Sequence, residues 1–214
     1  MTDDSHTLEP GSSFGQHRIL RLLGRGGMGE VYEVEHELTG KRHALKLLSS
    51  EVMEVPGALE RFEREAKVMA RLEHPGIVRV DFAGEEEGRH WLRMELMPGR
   101  EVSGRRVITL EDYVATKGGR LPESEVKALL AEILDALGHA HGKSLVHRDL
   151  KPANVLFDGD RVKIADFGLV NAAGAEWMDT QVRSTVINQD DEDTLIDGSG
   201  TGSRSRAIMG TYAY

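Results

Sequence analysis

His147-Arg148-Asp149-Leu150-Lys151-Pro152-Ala153-Asn154, followed by Asp166-Phe167-Gly168, is the stretch whose reading decides the fold. Between the two blocks, Val155-Leu156-Phe157 and Val162-Lys163-Ile164-Ala165 flank an Asp158-Gly159-Asp160 turn. Apolar and β-branched residues on either side of an Asp-Gly turn read as a two-stranded hairpin. Its open ends lie together, so Asp149, Lys151 and Asn154 meet Asp166. Asp166 and the Asn154 carbonyl are hard oxygen ligands, which suit Mg²⁺ shared with phosphates. Asp149 can accept a hydroxyl proton, and Lys151 can offset charge on a phosphoryl group in flight.

Working outward toward the N-terminus, Ile19, Leu20, Leu22 and Leu23 form a short apolar run before Gly24-Arg25-Gly26-Gly27-Met28-Gly29. A strand resumes through Val31, Tyr32 and Val34, whose alternation with Glu30, Glu33 and Glu35 has the period of a strand. Glycines let a hairpin tip bring N–H groups to phosphate oxygens with no Cβ in the way. A dinucleotide-binding turn shares the glycine pattern but opens a helix. Here a strand follows, which predicts a phosphate flap between two strands.

His43-Ala44-Leu45-Lys46-Leu47-Leu48 reads as a third strand, with Ala44, Lys46 and Leu48 on one face. Residues 57–72 predict a helix with a stripe of Leu59, Phe62, Ala66 and Met69, bordered by Glu65. A carboxylate at a packing face is costly unless paired. Lys46 is the expected partner of Glu65; the alternative is that Glu65 only rims the helix and pairs with Arg61 or with nothing. His74-Pro75-Gly76 breaks the helix; strands are expected over Ile77 to Val80 and over Trp91 to Met97. Pro122 starts a long helix with Glu123 and Glu125 in its first turn and an apolar face of Val126, Leu129, Leu130, Ile133, Leu134 and Leu137. His139 and His141 near its end lack the spacing of a metal pair.

These motifs together resemble a eukaryotic-type serine/threonine protein kinase of the bacterial kind, with Lys151 in the serine/threonine style and residues 24–34 worded like bacterial members. The resemblance implies an α+β, protein-kinase-like bilobal fold: an antiparallel five-stranded N-lobe sheet with one helix over residues 14–97, and an incomplete helical C-lobe over 98–214. It implies ATP under the glycine flap, lined by Leu23, Gly24, Arg25, Gly26, Gly27, Met28, Gly29, Val31, Ala44 and Leu156. Met94 would be the gatekeeper, and Glu95 to Met97 would offer backbone groups to adenine. Lys46, oriented by Glu65, would position the phosphates; Asn154 and Asp166 would hold Mg²⁺; Asp149 would align the acceptor hydroxyl; Thr211 would bond toward Asp149 and Lys151.

The sequence departs from the family between Gly99 and Thr109, where Arg100, Arg105 and Arg106 precede the short helix at Leu110 to Val114. That insert is expected to be a surface loop, with contact to substrate at the cleft mouth as the alternative. Residues 166–214 occupy the activation-segment position. Within Gly174–Ser203 seven acidic residues meet one basic residue, a net −6, and the segment is expected to be disordered. Thr180, Ser184, Thr185, Thr194, Thr201, Ser203 and Ser205 are candidate phosphorylation sites, and Arg148 could pair with such a phosphate. No APE motif and no further lower-lobe helices follow, so the catalytic domain reads as truncated and, folded alone, as prone to self-association.

Composition bounds the remaining classes. The chain has 214 residues and a net charge of −9, which argues against a nucleic-acid partner. It has no cysteine, so no disulfide can form. Met1 to Pro10 is polar and acidic, unlike a secretory signal, and residues 1–13 are expected to be disordered. No apolar run is long enough to span a bilayer, and a cytoplasmic setting is expected. The expected function is transfer of the ATP γ-phosphoryl group to Ser/Thr hydroxyls of proteins, with autophosphorylation in trans; the alternative is a truncated, catalytically inactive ATP-binding or interaction module.

Overall fold

The computed structural model describes residues 7–167. Its upper part is an antiparallel sheet in the order β1-β2-β3-β4-β6-β5. The strands are β1 (Ser13–Phe14), β2 (His17–Gly26), β3 (Gly29–His36), β4 (Arg42–Leu48), β5 (Val80–Glu86) and β6 (Arg89–Glu95). This is six strands where five were expected, because Ser13 and Phe14 pair with Arg18 and His17. Two helices, α1 (Ser50–Met53) and α2 (Ala58–Met69), stand where one was expected. The extra turn of helix is capped by the Ser49 hydroxyl, which accepts the Val52 N–H.

The period-two alternation of β4 sorts its side chains into two cores. Ala44 and Leu48 face α2 in a cluster with Phe62, Ala66, Met69, Leu92 and Met94. Leu45 and Leu47 face the opposite side, with Phe14, Ile19, Tyr32, Val34 and Trp91. Residues 7–13, expected to be disordered, are instead held on that second core. The Leu8 N–H donates to the Tyr32 hydroxyl at 3.0 Å, and the Gly11 N–H donates to the Ile19 carbonyl at 2.8 Å.

Below the sheet lie β7 (Arg100–Val102), β8 (Arg105–Val107), α3 (Leu110–Thr116), α4 (Glu123–Gly142), a 3₁₀ turn (Pro152–Asn154), β9 (Val155–Asp158) and β10 (Arg161–Ile164). Antiparallel β9 and β10 form the predicted hairpin, closed at Gly159 with φ +65°. The expected strand at Ile77 to Val80 forms differently. Ile77 makes an isolated parallel bridge to Ile164 and β5 begins only at Val80, because Val78 gives its N–H to the Ile164 carbonyl at 2.9 Å. These bonds stitch the sheet to the lower hairpin.

The insert after Gly99 is a hairpin and not a loop. The Gly99 N–H donates to the Phe157 carbonyl at 3.0 Å, and Val107 is buried. The Arg100 guanidinium lies 5.2 Å from the Tyr113 ring centroid and 5.6 Å from that of Phe157. Helix α4 begins after Pro122 as read. It buries Leu129, Ile133, Ala136 and Ala140, while Val126, Leu130 and Leu134 remain exposed.

Candidate active site

The glycine segment is the tip of the β2–β3 hairpin, with Gly26 opposite Gly29 and Gly27-Met28 between them. Gly29 has φ +132°, and a Cβ there would stand 1.9 Å from the Leu47 carbonyl oxygen. Only glycine fits that approach of the flap to β4. Next along the flap, Val31 pairs in register with Lys46. Lys46 in turn faces Leu92, and Ala44 faces Met94. Ala44, Met94 and Met97 are buried, Leu156 is half-buried and Leu23 is exposed.

Lys46 is nearly buried, and its Nζ lies 2.8 Å from Oδ2 of Asp166. The ammonium on the sheet thus engages the carboxylate of the lower hairpin. Glu65 is buried on α2, as the stripe required, at 4% exposure. Asp166, at the open end of the hairpin, reaches Lys46 directly. Its φ of +61° is a left-handed conformation rare outside glycine. Arg148 carries the same signature at φ +69°, so each of the two motifs has one strained backbone position.

Asp149, Lys151 and Asn154 form one bonded group. Lys151 Nζ lies 2.8 Å from Asp149 Oδ2. Asn154 Nδ2 donates to the Asp149 carbonyl at 2.8 Å and to its Oδ2 at 3.3 Å. With both acceptors on the nitrogen side, the Asn154 Oδ1 is left to act as a ligand. The Ala165 N–H donates to the Asn154 carbonyl at 2.8 Å, which fixes Asp166 relative to this group.

His147, inside the motif, has a role that the sequence alone does not indicate. It is 2% exposed. Its Nε2 donates to the Ala165 carbonyl at 2.8 Å, and its Nδ1 accepts the Asp149 N–H at 3.2 Å. Burial, the largest influence, holds the imidazole below its ordinary pKa. A neutral ring with one donor and one acceptor satisfies both bonds and braces the Asp149 loop against the Asp166 segment. Lys163 is a second such residue. It reaches from β10 to Glu95 at the end of β6, Nζ to Oε2 2.9 Å. The signal was present, since Lys163 alternates with Val162 and Ile164 and so faces away from their core. Thr211 and the candidate phosphorylation residues from Thr180 to Ser205 lie outside the described residues.

The donors fit a hard dication. One carboxylate and one amide oxygen leave most coordination sites to phosphate oxygens and water, the usual arrangement for Mg²⁺ at a nucleotide. Among the described residues no group of three His, Cys, Asp or Glu side chains forms an all-protein metal site.

A glycine hairpin tip, a lysine from the same sheet, and an Asp/Lys/Asn loop with a second Asp below have the layout of a two-lobed kinase domain. The protein kinase domain model matches residues 17–186, and the chain belongs to that family. It is 36% identical over 184 residues to the serine/threonine-protein kinase PknH of Mycobacterium bovis, covering 86% of this chain and 29% of that protein. It is 37% identical over 186 residues to PknF of Mycobacterium tuberculosis, covering 85% of this chain and 37% of that one. Among solved structures, the Mycobacterium tuberculosis PknI kinase domain matches with a TM-score of 0.67 and 36% identity, over 76% of this chain and 62% of that chain. The chain thus spans well under half the length of these curated relatives.

Proposed function

We propose that this chain carries the catalytic apparatus of an ATP- and Mg²⁺-dependent protein serine/threonine kinase acting in the cytoplasm. The observation that carries the reading is the 2.8 Å approach of Lys46 on the sheet to Asp166 on the lower hairpin, beside the bonded Asp149–Lys151–Asn154 group. Lys46 and Asp166 hold each other at the distance at which one would meet phosphate oxygens and the other a metal ion. Magnesium, when bound, offsets charge on the phosphoryl oxygens. The chain's own residues do the rest. Lys46 orients the phosphates. Asn154 Oδ1 and Asp166 present oxygen ligands. Asp149 receives the acceptor hydroxyl's proton. Lys151, already on Asp149 Oδ2, turns its charge toward the transferring group.

A Ser/Thr hydroxyl of a protein is the proposed acceptor, including that of a second copy of this chain in trans. Relatives named as serine/threonine-protein kinases support this reading. Among the described residues no helix is long and apolar enough to cross a membrane.

The test compares wild type with Asp149→Asn for stabilisation by Mg·ATP and for transfer of labelled phosphate to a generic protein acceptor. Stabilisation of both, with transfer by wild type alone, supports the reading. Stabilisation without transfer by wild type selects a nucleotide-binding module. Transfer undiminished in the variant removes Asp149 from its role.

A further inference from the structure

The glycine flap is not held by its own two strands alone. Arg25 on β2 and Glu30 on β3 stand opposite each other and pair at 2.5 Å. Residues 7 and 8 reach this pair from outside the sheet. Thr7 Oγ1 donates to Glu30 Oε1 at 3.3 Å and accepts a bond from Arg25. The Leu8 N–H donates to the Tyr32 hydroxyl at 3.0 Å, and that hydroxyl donates to Glu30. The Leu8 side chain packs against the core that holds Phe14, Ile19 and Tyr32.

Tyr32 is fully buried, and burial together with Glu30 pushes its phenol up to about 12, so it keeps its proton and remains a donor. Behind Leu8 the segment is fastened again, where the Ile19 N–H donates to the Ser12 carbonyl at 2.8 Å. A glycine hairpin loses much conformational freedom when it closes on a ligand. A segment that ties both of its strands from behind lowers that loss in advance.

We propose that Thr7 and Leu8 form a strap that positions the glycine flap through the Tyr32 hydroxyl and the Arg25–Glu30 pair, and so raises affinity for the triphosphate. The proposal rests on the kinase reading for its ligand. Thr7, Leu8 and Tyr32 are positioning residues, acting through the flap.

The test uses the full chain with Tyr32→Phe, which keeps the ring and removes the hydroxyl, and separately Thr7→Ala at the exposed end. Amide exchange over residues 24–30 is measured alongside KM for Mg·ATP and kcat. Faster exchange in the flap, with KM raised about two- to tenfold and kcat held, is the expected result. Thr7→Ala loosens the strap through different bonds, those of the exposed Thr7 hydroxyl to Glu30 and Arg25, so a general loss of packing at Tyr32 does not reproduce it. Flap exchange unchanged in both variants, or KM unchanged in both, overturns the strap. Exchange needs no turnover, so a wild type that transfers no phosphate defeats the kinase reading while the strap is still decided by exchange.

Discussion

Lys163 and Glu95 hold a two-point ion pair across the join between the upper sheet and the lower hairpin, with Nζ 3.0 Å from Oε1 and 2.9 Å from Oε2. Asp158 adds a third contact to the same ammonium at 3.2 Å, and Glu95 Oε1 also accepts the Arg79 N–H at 2.8 Å. Burial pulls the Lys163 pKa down, but the bonds from Glu95 and Asp158 outweigh it and leave it above 10.5. Replacing Lys163 with Met leaves two carboxylates facing each other at a sheltered site. The variant is expected to lose on the order of 1–3 kcal/mol of stability by urea denaturation. The raised folded-state value means this contribution is present below pH 10.5 and is lost as pH climbs through the folded pKa. Equal stability of Lys163→Met and wild type at neutral pH would contradict the assignment.

The upper sheet should weaken in mild acid through His17. Burial, then the positive charge of Arg93 and the neighbouring His36 and His43, lower its pKa from 6.5 to about 4. The ring is 3% exposed and lies edge-on to His36 and Trp91. Between these two pKa values the unfolded chain binds the proton and the folded chain does not, so stability rises with pH there and falls as pH drops from 6.5 toward 4. The loss across that window is expected to be on the order of 2 kcal/mol. His17→Phe should flatten the slope of melting temperature against pH; an unchanged slope would assign the acid sensitivity elsewhere.

The flap glycines are not equivalent. A Cβ at Gly26 meets nothing within 4 Å, whereas at Gly29 it collides with the Leu47 carbonyl. Gly29→Ala is therefore expected to cost about 2 kcal/mol or more of stability. Gly26→Ala should leave stability within about 1 kcal/mol of wild type and reveal itself only in weaker Mg·ATP binding. Thermal melts with and without nucleotide separate the two effects. Similar melting points for both variants would contradict the difference.

Helix α4 carries exposed apolar side chains. Leu134 is 63% exposed and Leu130 48%, on the face away from Ala136 and Ala140. The 214-residue chain is expected to self-associate in sedimentation, and Leu130→Glu with Leu134→Lys to reduce this. A monomeric wild type would contradict it.

Much of this arrangement was legible in the residues. The β9–β10 hairpin followed from an Asp-Gly turn between apolar runs, and the flap followed from glycines ahead of a strand-period segment. The side chains of β4 divided between two cores as their alternation required. What escaped were contacts set by distant backbone. Lys46 meets Asp166 because the left-handed turn at Asp166 delivers a carboxylate to it, and no spacing in the chain encodes that. The Arg100 hairpin looked like a loop because its stacking partners, Tyr113 and Phe157, come from separate elements. Residues 7–13 looked disordered by composition, yet Leu8 and Phe14 find an apolar surface that exists only once the sheet has folded. His147 stood inside the quoted motif, but its two hydrogen bonds become meaningful only when Ala165 is brought beside it.

The central claim is that Lys46 from the sheet and Asp166 from the lower hairpin act on one triphosphate. Its most direct test is the rate of Mg²⁺-dependent phosphate transfer from ATP to a protein hydroxyl, comparing wild type with Asp166→Asn. The account predicts transfer by wild type and a loss of about a hundredfold or more in the variant. Undiminished transfer by Asp166→Asn would contradict it.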